Sequence, residues 1–442
     1  MRRVVIIGFQ SAGLTAAATA RMVDREAKVT VIERRMYATY HPCGLPFAIG
    51  GDVPHIRHLV EAASKLPGVD VHIGTEAKAI DTDAKIVEIQ DRKTLRKGKV
   101  PYDSLVIATG SLPLRPPIPG SDLSNVFTLR TMRDGEEILA ALPRANKALV
   151  VGGGPIGLEA AAALRESGLE TTLVEMQPNV LPWMLDPDMS EAVLDQLSRV
   201  GILTILGKPV KELRGEKKVS SVVVGEEEIQ ADLVVLCTGV KPDIELAVSA
   251  GVELGALGVI KVDDHLRTNI PDVYAAGDCV ESSCFLTKRP ILSQLATTAI
   301  RMGKIAGANA AGGNEVFPGV LNTIVSSAYG LEIAATGLTT RNARDAGIET
   351  IAGRIRTLNK PYFYPGAEPI IVKLIVKPKE RRVIGGQVIG DGAAERVNML
   401  AFAIKQNVTI DELARIEYCY APPMSDCIEP LVVAAEAVLR RL

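Results

Sequence analysis

Short apolar runs alternate with glycine-rich turns near the beginning of the chain. Residues 4–7 predict a buried strand, the turn GFQSAG follows at 8–13, and an alanine-rich stretch predicts a helix to about residue 22. The apolar run 29–32 predicts a second strand and ends at Glu33, about 20 residues after Gly13. This order is typical of dinucleotide binding, with the pyrophosphate on the helix N-terminus and a ribose hydroxyl on the acid. The predicted contacts are Gly8, Gln10, Ser11, Ala12, Gly13, Glu33 and Arg34.

The same order returns in the middle of the chain. Residues 148–151 predict a strand, the turn GGGPIG follows at 152–157, a helix runs through about residue 164, and the strand 172–174 ends at Glu175. An acid here accepts a hydrogen bond from a ribose 2′-hydroxyl and repels a 2′-phosphate, so NADH is predicted over NADPH. Two such patterns predict an α/β protein with two dinucleotides. The contacts predicted for the second are Gly152, Gly154, Pro155, Ile156, Gly157 and Glu175.

Gln10 departs from the pattern of the first turn. It replaces the middle glycine, which normally lets the backbone approach the pyrophosphate. Its side chain must either turn away from the phosphates or bind them through its amide, and either arrangement can lower the affinity for the cofactor. A turn of similar shape that binds no nucleotide is the alternative interpretation.

Composition narrows the functional classes. The 442 residues include 50 Lys plus Arg and 52 Asp plus Glu, so a sustained basic field for nucleic acid or an anionic membrane is not expected. Four apolar residues separate Arg3 from Gly8, too few for a signal peptide, and a cytoplasmic protein is predicted. The 6 cysteines do not suggest a disulfide framework, and the 5 histidines lack ligand spacing, so no metal site is predicted.

Further motifs connect the two dinucleotide patterns. Residues 268–278, TNIPDVYAAGD, run from a predicted strand into an exposed acid, and the short motifs ATG and CTG occupy 108–110 and 237–239. Together these features resemble the two-dinucleotide flavoprotein disulfide reductases from residue 4 to about residue 309. The resemblance implies FAD on the first pattern, NAD(P)H on the second, Asp278 on the ribityl chain and Glu159 near the nicotinamide. The other contacts that it implies are Ala108, Thr109, Gly110, Gly239 and Gly277.

Cys43 stands alone at the position of the redox disulfide. The positions five before and five after it are Ala38 and Ala48, so the second cysteine of the glutathione reductase type is absent. A single thiol must cycle through a mixed disulfide, a persulfide or a sulfenic acid. The segment TYHPCGLPF at 39–47 resembles the single-cysteine branch of coenzyme A disulfide reductases, NADH-dependent persulfide reductases, NADH oxidases and NADH peroxidases. A buried structural thiol is the alternative.

Four other positions bear on the reaction. Peroxidases and water-forming oxidases of that branch carry a histidine in the first glycine turn, whereas this chain has Ser11, which favours sulfur substrates. The segment YCYAPP at 418–423 resembles that of the coenzyme A disulfide reductases, which implies that Tyr420 reaches the thiol of a second subunit. Tyr364 is assigned a similar role, and interface packing is the alternative for both. His41 is a candidate to lower the pKa of the thiol or to relay a proton.

The order of motifs predicts three domains. The FAD-binding domain is split into residues 1–112 and 243–322, the NAD(P)H-binding domain is 113–242, and 323–442 form an α+β interface domain. Strands are predicted near 321–326, 370–376 and 382–388, with a helix near 393–404. Such a sheet would expose one face, so a homodimer is expected.

The prediction for function is an FAD-dependent NAD(P)H oxidoreductase that acts on a disulfide or persulfide, most specifically that of coenzyme A. The alternatives are an NADH oxidase that reduces oxygen and a flavin redox sensor or electron carrier without turnover. Candidate cations for the phosphates of coenzyme A are Arg21, Arg25, Arg57 and His58. Cys419 and Cys427 either resolve a mixed disulfide or, as expected here, pack in the core.

Overall fold

A computed structural model describes residues 1–61 and 66–442, and its backbone divides into two compact units. The first unit comprises Met1–Cys43, His55–Leu112 and Val240–Val320. The second comprises Gly44–Pro54, Pro113–Gly239 and Leu321–Leu442. The three-domain division stays a prediction. Across the two described stretches, none of the helices combines the length and apolar character needed to cross a bilayer.

A five-stranded parallel sheet forms the core of the first unit. Its strands lie in the order Val273–Ala275, Ser104–Ile107, Arg3–Ile7, Lys28–Glu33 and Val69–Ile73. The inner strands are continuous apolar runs because both of their faces are covered. The helices Ser11–Val23 and Ala296–Ala310 pack closely together. Gly303 permits this approach, because a Cβ atom there would overlap the backbone of Ala12.

The remaining elements of the first unit are short. An antiparallel sheet contains Thr75–Asp81, Ile86–Asp91 and Lys97–Pro101. Ser282–Ser283 pairs with Pro290–Ile291, and Ser111–Pro113 pairs with Val240–Pro242. The short helices are Pro42–Gly44, Ile56–Leu59 and Glu245–Ser249.

The second unit contains another five-stranded parallel sheet. Its strands lie in the order Ile202–Leu206, Glu170–Glu175, Lys147–Val151, Leu233–Leu236 and Val126–Thr128. An antiparallel sheet of Val210–Arg214, Ser221–Val224 and Glu227–Gln230 adjoins it in sequence. The helices of this part of the chain are Leu45–Gly50, Met132–Ala141, Leu142–Arg144, Pro155–Glu166 and Pro187–Arg199.

The C-terminal part of the second unit is α+β. Its antiparallel sheet has the order Ile324–Ala328, Leu331–Gly337, Arg382–Ile389, Pro369–Lys377 and Ile351–Leu358. The helices are Thr340–Asp345, Ala393–Lys405, Ile410–Leu413 and Pro430–Leu439. The strand predicted at 321–326 begins later, at Ile324, because Asn322 has a φ of 51° and interrupts the extended backbone. The predicted α/β class with an α+β C-terminal part is confirmed.

Candidate active site

The first glycine turn has a backbone that requires glycine at both of its ends. Gly8 has a φ of +99°, and a Cβ atom on it would overlap the carbonyl oxygen of Ala108. A Cβ atom on Gly13 would overlap the carbonyl oxygen of Gly8. The strand end and the start of the helix therefore approach each other closely, and the helix N-terminus lies at the end of the sheet. The geometry fits a pyrophosphate bound at that N-terminus.

Glu33 is the buried acid at the end of the neighbouring strand. Its Oε2 accepts a hydrogen bond of 2.8 Å from the backbone N–H of Phe9, inside the turn. The guanidinium of Arg35 donates to both of its oxygens at 2.9 Å. Arg34 points elsewhere and pairs with Asp243 at 2.8 Å. The sequence shows two arginines after Glu33, but it does not show that Arg35, and not Arg34, bonds the carboxylate of Glu33.

The motifs around Ala108 and Gly277 lie at the same end of the first sheet as the first glycine turn. The backbone N–H of Ala108 donates to Ile7 at 2.9 Å, and a Cβ atom on Gly277 would lie 3.1 Å from that of Ala12. Next to Gly277, the half-buried carboxylate of Asp278 accepts a hydrogen bond of 2.7 Å from the Ser111 hydroxyl. Thr109 donates through its hydroxyl to the backbone of Asp243 at 2.5 Å, and Gly110 accepts from that backbone at 2.9 Å. These segments could therefore line one elongated dinucleotide site.

The second glycine turn contains a cradle of open space. Cβ atoms on Gly152 and Gly157 would overlap backbone oxygens, whereas one on Gly154 would meet no atom within 4 Å. That space, at the N-terminus of the helix Pro155–Glu166, fits an approaching pyrophosphate. The buried acid Glu175 accepts from the backbone N–H groups of Gly153 at 2.6 Å and Gln177 at 2.8 Å. Ile156 is 40% exposed beside this cradle, and Gly239 is exposed at the end of its motif.

Glu159 and Cys237 titrate unusually in the second unit. Oε1 of Glu159 accepts a hydrogen bond of 2.8 Å from the hydroxyl of Ser326. Burial nevertheless raises the pKa of Glu159 to about 6. Burial, with a smaller contribution from the charge of Glu159, raises the pKa of the Cys237 thiol to about 12. Cys237 is therefore unsuited to act as a thiolate. No sequence signal pointed to Ser326, which lies far along the chain.

Cys43 is exposed in the short helical turn Pro42–Gly44. The neighbouring imidazole of His41 has its own partner, because its Nε2 lies 2.9 Å from Oε1 of Glu61. Both of these side chains are exposed, at 55% and 44%. The described structure thus directs Nε2 of His41 to an acid 20 residues further along. The proton-relay role of His41 stays a prediction.

The C-terminal aromatic residues are accessible in the single chain. Tyr420 is 49% exposed, and Tyr364 is half-buried beside the exposed pair Tyr362 and Phe363. Cys419 and Cys427 are both exposed, so the expectation that they pack in the core is wrong. Both lie within residues 414–428, which form no helix or strand and of which none is buried. Among residues 1–61 and 66–442, no group of three or more His, Cys, Asp or Glu side chains is arranged to hold a metal ion.

Two parallel sheets, each with a glycine turn at a helix N-terminus and a buried acid at the next strand, define an oxidoreductase that uses FAD and NAD(P)H. The chain belongs to the pyridine nucleotide-disulphide oxidoreductase family, whose sequence pattern matches residues 2–303. The pattern of the dimerisation domain of that family matches residues 326–432. The single-cysteine resemblance inferred from the motifs is confirmed by the relatives of this chain.

Three relatives illustrate the range of activities. The chain is 41% identical to an NADH oxidase of Methanocaldococcus jannaschii, over 100% of this chain and 99% of that protein. It is 33% identical to a CoA-dependent NAD(P)H sulfur oxidoreductase of Pyrococcus abyssi, over 99% and 98% of the two chains. The solved structure of an NAD-dependent persulfide reductase from A. fulgidus superposes with a TM-score of 0.95 at 36% identity, covering 99% of this chain and 83% of that one.

Proposed function

We propose that the chain uses NADH to reduce small-molecule disulfides or persulfides through the thiol of Cys43. The observation that carries this proposal is a contrast among the cysteines of the first compact unit. Cys279 and Cys284 are buried, whereas Cys43 is exposed. A thiolate must reach a substrate sulfur in order to attack it, so Cys43 is the cysteine of that unit that can react with a dissolved disulfide.

Two bound dinucleotides would supply hydride and electron transfer, and the chain would hold and orient them. For FAD, the N-terminus of the helix Ser11–Val23 would bind the pyrophosphate, Glu33 a ribose hydroxyl and Asp278 the ribityl chain. For NADH, the Gly154 cradle would bind the pyrophosphate and Glu175 the adenosine ribose. Buried Glu175 is bonded by backbone N–H groups and would repel a 2′-phosphate, which supports NADH as the preferred cofactor.

The sulfur chemistry requires one thiol and a proton donor. The Cys43 thiolate attacks one sulfur of the substrate, a mixed disulfide forms, and the other sulfur leaves as a thiolate. Two electrons then cleave the mixed disulfide, which restores the Cys43 thiolate and releases the second thiol. The phenols of Tyr420 and Tyr364 would protonate the leaving sulfur as general acids. The exposure of Tyr420 supports an approach from a second subunit in a homodimer, for which the dimerisation domain provides the interface.

Coenzyme A is the thiol that we propose as the carrier of the substrate sulfur. The CoA-dependent relative supports this choice, as do the exposed basic side chains of Arg25, Arg57 and His58 in the first unit. Arg21 is a weaker candidate, because its guanidinium already donates to the carbonyl oxygens of Arg25 and, at 2.9 Å, Ala27. Exposed basic side chains can bind the phosphates of coenzyme A through charge-assisted hydrogen bonds.

The test compares two serine variants of the FAD-loaded enzyme under anaerobic conditions. Cys43→Ser should abolish the NADH-dependent release of thiol from coenzyme A disulfide while it retains bound FAD. Cys427→Ser removes another exposed thiol and should retain turnover, because a single-thiol cycle needs no resolving cysteine. Full turnover by Cys43→Ser would disprove the proposal, and loss of turnover in Cys427→Ser alone would replace it with a two-thiol mechanism.

An NADH oxidase is the second candidate function, and the 41% identity to the relative of that name favours it. Ser11 argues against efficient reduction of peroxide, because a serine hydroxyl is a much weaker acid than an imidazolium. The two functions differ in the acceptor. Oxygen consumption and thiol release, each measured per NADH oxidised in air-saturated buffer with coenzyme A disulfide present, show which acceptor takes the electrons.

A further inference from the structure

The side chain of Gln10 leaves the first glycine turn and reaches the loop that carries Cys43. In the amide orientation that satisfies both of its ends, Nε2 donates to the carbonyl oxygen of Tyr40 at 2.5 Å, and Oε1 accepts from the Arg35 guanidinium at 3.0 and 3.1 Å. In the opposite orientation, Nε2 lies 3.3 Å from the carbonyl oxygen of Ala38. Both orientations fasten the glycine turn to the same loop.

The backbone at Gln10 does not require glycine. Its φ of −102° and ψ of −163° are extended values that any residue adopts, and it occupies the N-cap of the helix Ser11–Val23 without a capping hydrogen bond from its side chain. The amide is therefore available for the loop. A glycine at this position would supply the same backbone but no contact with Tyr40 or Arg35.

Arg35 extends the connection to the acid of the dinucleotide site. Its guanidinium donates to both oxygens of Glu33 at 2.9 Å, and Glu33 in turn accepts from the turn residue Phe9. Gln10 thus closes a continuous chain of hydrogen bonds between the glycine turn, the buried acid and the backbone three residues before Cys43. The carboxylate is 1% exposed, so these bonds act away from competing water.

The other side of the loop is fastened by backbone hydrogen bonds. The N–H of His41 donates to Leu59 at 2.8 Å, and the N–H of Glu61 donates to Thr39 at 3.1 Å. The loop before Cys43 is therefore held from two sides, and Gln10 provides the attachment on the side of the glycine turn. A side chain that bonds one carbonyl of a loop restricts the whole loop when the opposite edge is already fixed.

We propose that Gln10 is a positioning residue that fixes the loop carrying Cys43 to the FAD-binding turn, and so sets the position of the thiol relative to the bound cofactor. This inference rests on the proposed role of Cys43 as the redox thiol. Gln10, which replaces the middle glycine of the usual pattern, would thereby have a function in the sulfur chemistry. The affinity for FAD itself depends on the backbone of the turn, and that backbone is extended with glutamine at position 10.

The experiment uses the FAD-loaded full chain and three variants. Gln10→Gly supplies the glycine of the usual pattern, Gln10→Met keeps the length but removes both hydrogen bonds, and Gln10→Glu keeps the acceptor for Arg35 while it loses the donor to Tyr40. We measure amide hydrogen exchange of the peptides covering residues 36–44, and the thiolate-to-flavin charge-transfer absorption during an anaerobic NADH titration. Gln90→Met is the matched control, because the Gln90 amide donates to the carbonyl oxygen of Leu95 at 3.1 Å in the same unit.

Gln10→Gly and Gln10→Met should speed exchange in this loop by about tenfold, the ratio expected for the loss of one or two hydrogen bonds. Both should weaken the charge-transfer absorption per bound FAD, while Gln90→Met changes neither. Gln10→Glu loses the donor to Tyr40 and should also speed exchange in this loop. Unchanged exchange and absorption in both Gln10→Gly and Gln10→Met would overturn the inference. Faster exchange in these variants together with full turnover by Cys43→Ser would instead retain the tether and refute the role of the thiol.

Discussion

Ser326 donates a hydrogen bond of 2.8 Å from its hydroxyl to Oε1 of Glu159. The donor belongs to the strand Ile324–Ala328, and the acceptor to the helix that begins at the second glycine turn. This bond and one from the backbone of Ser327 favour the ionised carboxylate, yet burial outweighs them and raises the pKa of Glu159 to about 6. The carboxyl group therefore gains or loses its proton close to neutral pH.

The raised pKa of Glu159 predicts a pH dependence of stability. Because the folded chain binds the proton of Glu159 more tightly than the unfolded chain, the stabilisation from this proton is fully present below the ordinary pKa of 4.5 and is lost as the pH rises through about 6. The shift corresponds to about 2 kcal/mol. Urea unfolding at pH 4.5 and pH 7.5 should show that Glu159→Gln removes this part of the pH dependence. The same substitution at exposed Glu170 should leave the pH dependence in place, and an unchanged profile for Glu159→Gln would contradict the assignment.

A change of cofactor preference is expected at Glu175 and Met176. Glu175 is buried and accepts two backbone hydrogen bonds, while Met176 is 65% exposed next to it. Glu175→Ala combined with Met176→Arg should replace repulsion of a 2′-phosphate by a charge-assisted hydrogen bond. The ratio of kcat/KM for NADPH to that for NADH should rise at least about tenfold. Met399→Arg adds the same charge at another exposed methionine and should leave the ratio unchanged. An unaltered ratio in the double variant would show that the adenosine ribose does not bind at Glu175.

The parallel sheets were predictable from the sequence because their strands are apolar runs that end in glycine turns. The spacing from Gly13 to Glu33 depends only on one helix and one strand, so local periodicity is sufficient. The C-terminal sheet was less predictable. The strand Leu331–Gly337 buries four consecutive residues, and Ile351–Leu358 is an edge strand with mixed polarity, so neither shows a clean alternation.

The partners of the candidate site residues were not predictable. Glu61, which bonds His41, and Ser326, which bonds Glu159, are far apart in sequence from the side chains that they contact. Their positions follow from how the chain folds back, which no local pattern encodes. Gln10 was visible as an anomaly, but its contact with Tyr40 depends on the path of the loop.

A buried ion pair in the second unit predicts a large loss of stability. Nζ of Lys373 lies 3.0 Å from Oδ2 of Asp186, and the exposed fractions of the two side chains are 9% and 1%. Asp186 also accepts from Thr340 at 2.6 Å and from Gln387 at 3.0 Å. Lys373→Met leaves the carboxylate buried without its cation and should lower the free energy of unfolding by about 3–5 kcal/mol. Urea denaturation measures this change.

Two further variants test the cause of that loss. Adding Asp186→Asn to Lys373→Met removes the buried uncompensated charge and should recover part of the stability, although Asp188, which is 2.6 Å from Nζ of Lys373 and 43% exposed, also loses this partner. Arg381→Met breaks the half-exposed pair with Asp411 and should cost much less, because solvent screens an exposed ion pair. Equal losses for Lys373→Met and Arg381→Met would show that burial of the Asp186 carboxylate is not what makes the first pair important.

Tyr420 should serve the Cys43 of the partner subunit, and mixed dimers can show this. Tyr420→Phe removes a general acid that is 49% exposed in the single chain, and should lower disulfide turnover by about a hundredfold in a homodimer. A dimer of one Cys43→Ser chain and one Tyr420→Phe chain combines an intact thiol with an intact phenol only if the tyrosine acts across the interface. Two differently tagged chains allow the mixed dimer to be isolated. Turnover near half of the unmodified value would support action between subunits, whereas turnover as low as that of the Tyr420→Phe homodimer would show that the tyrosine acts within its own chain.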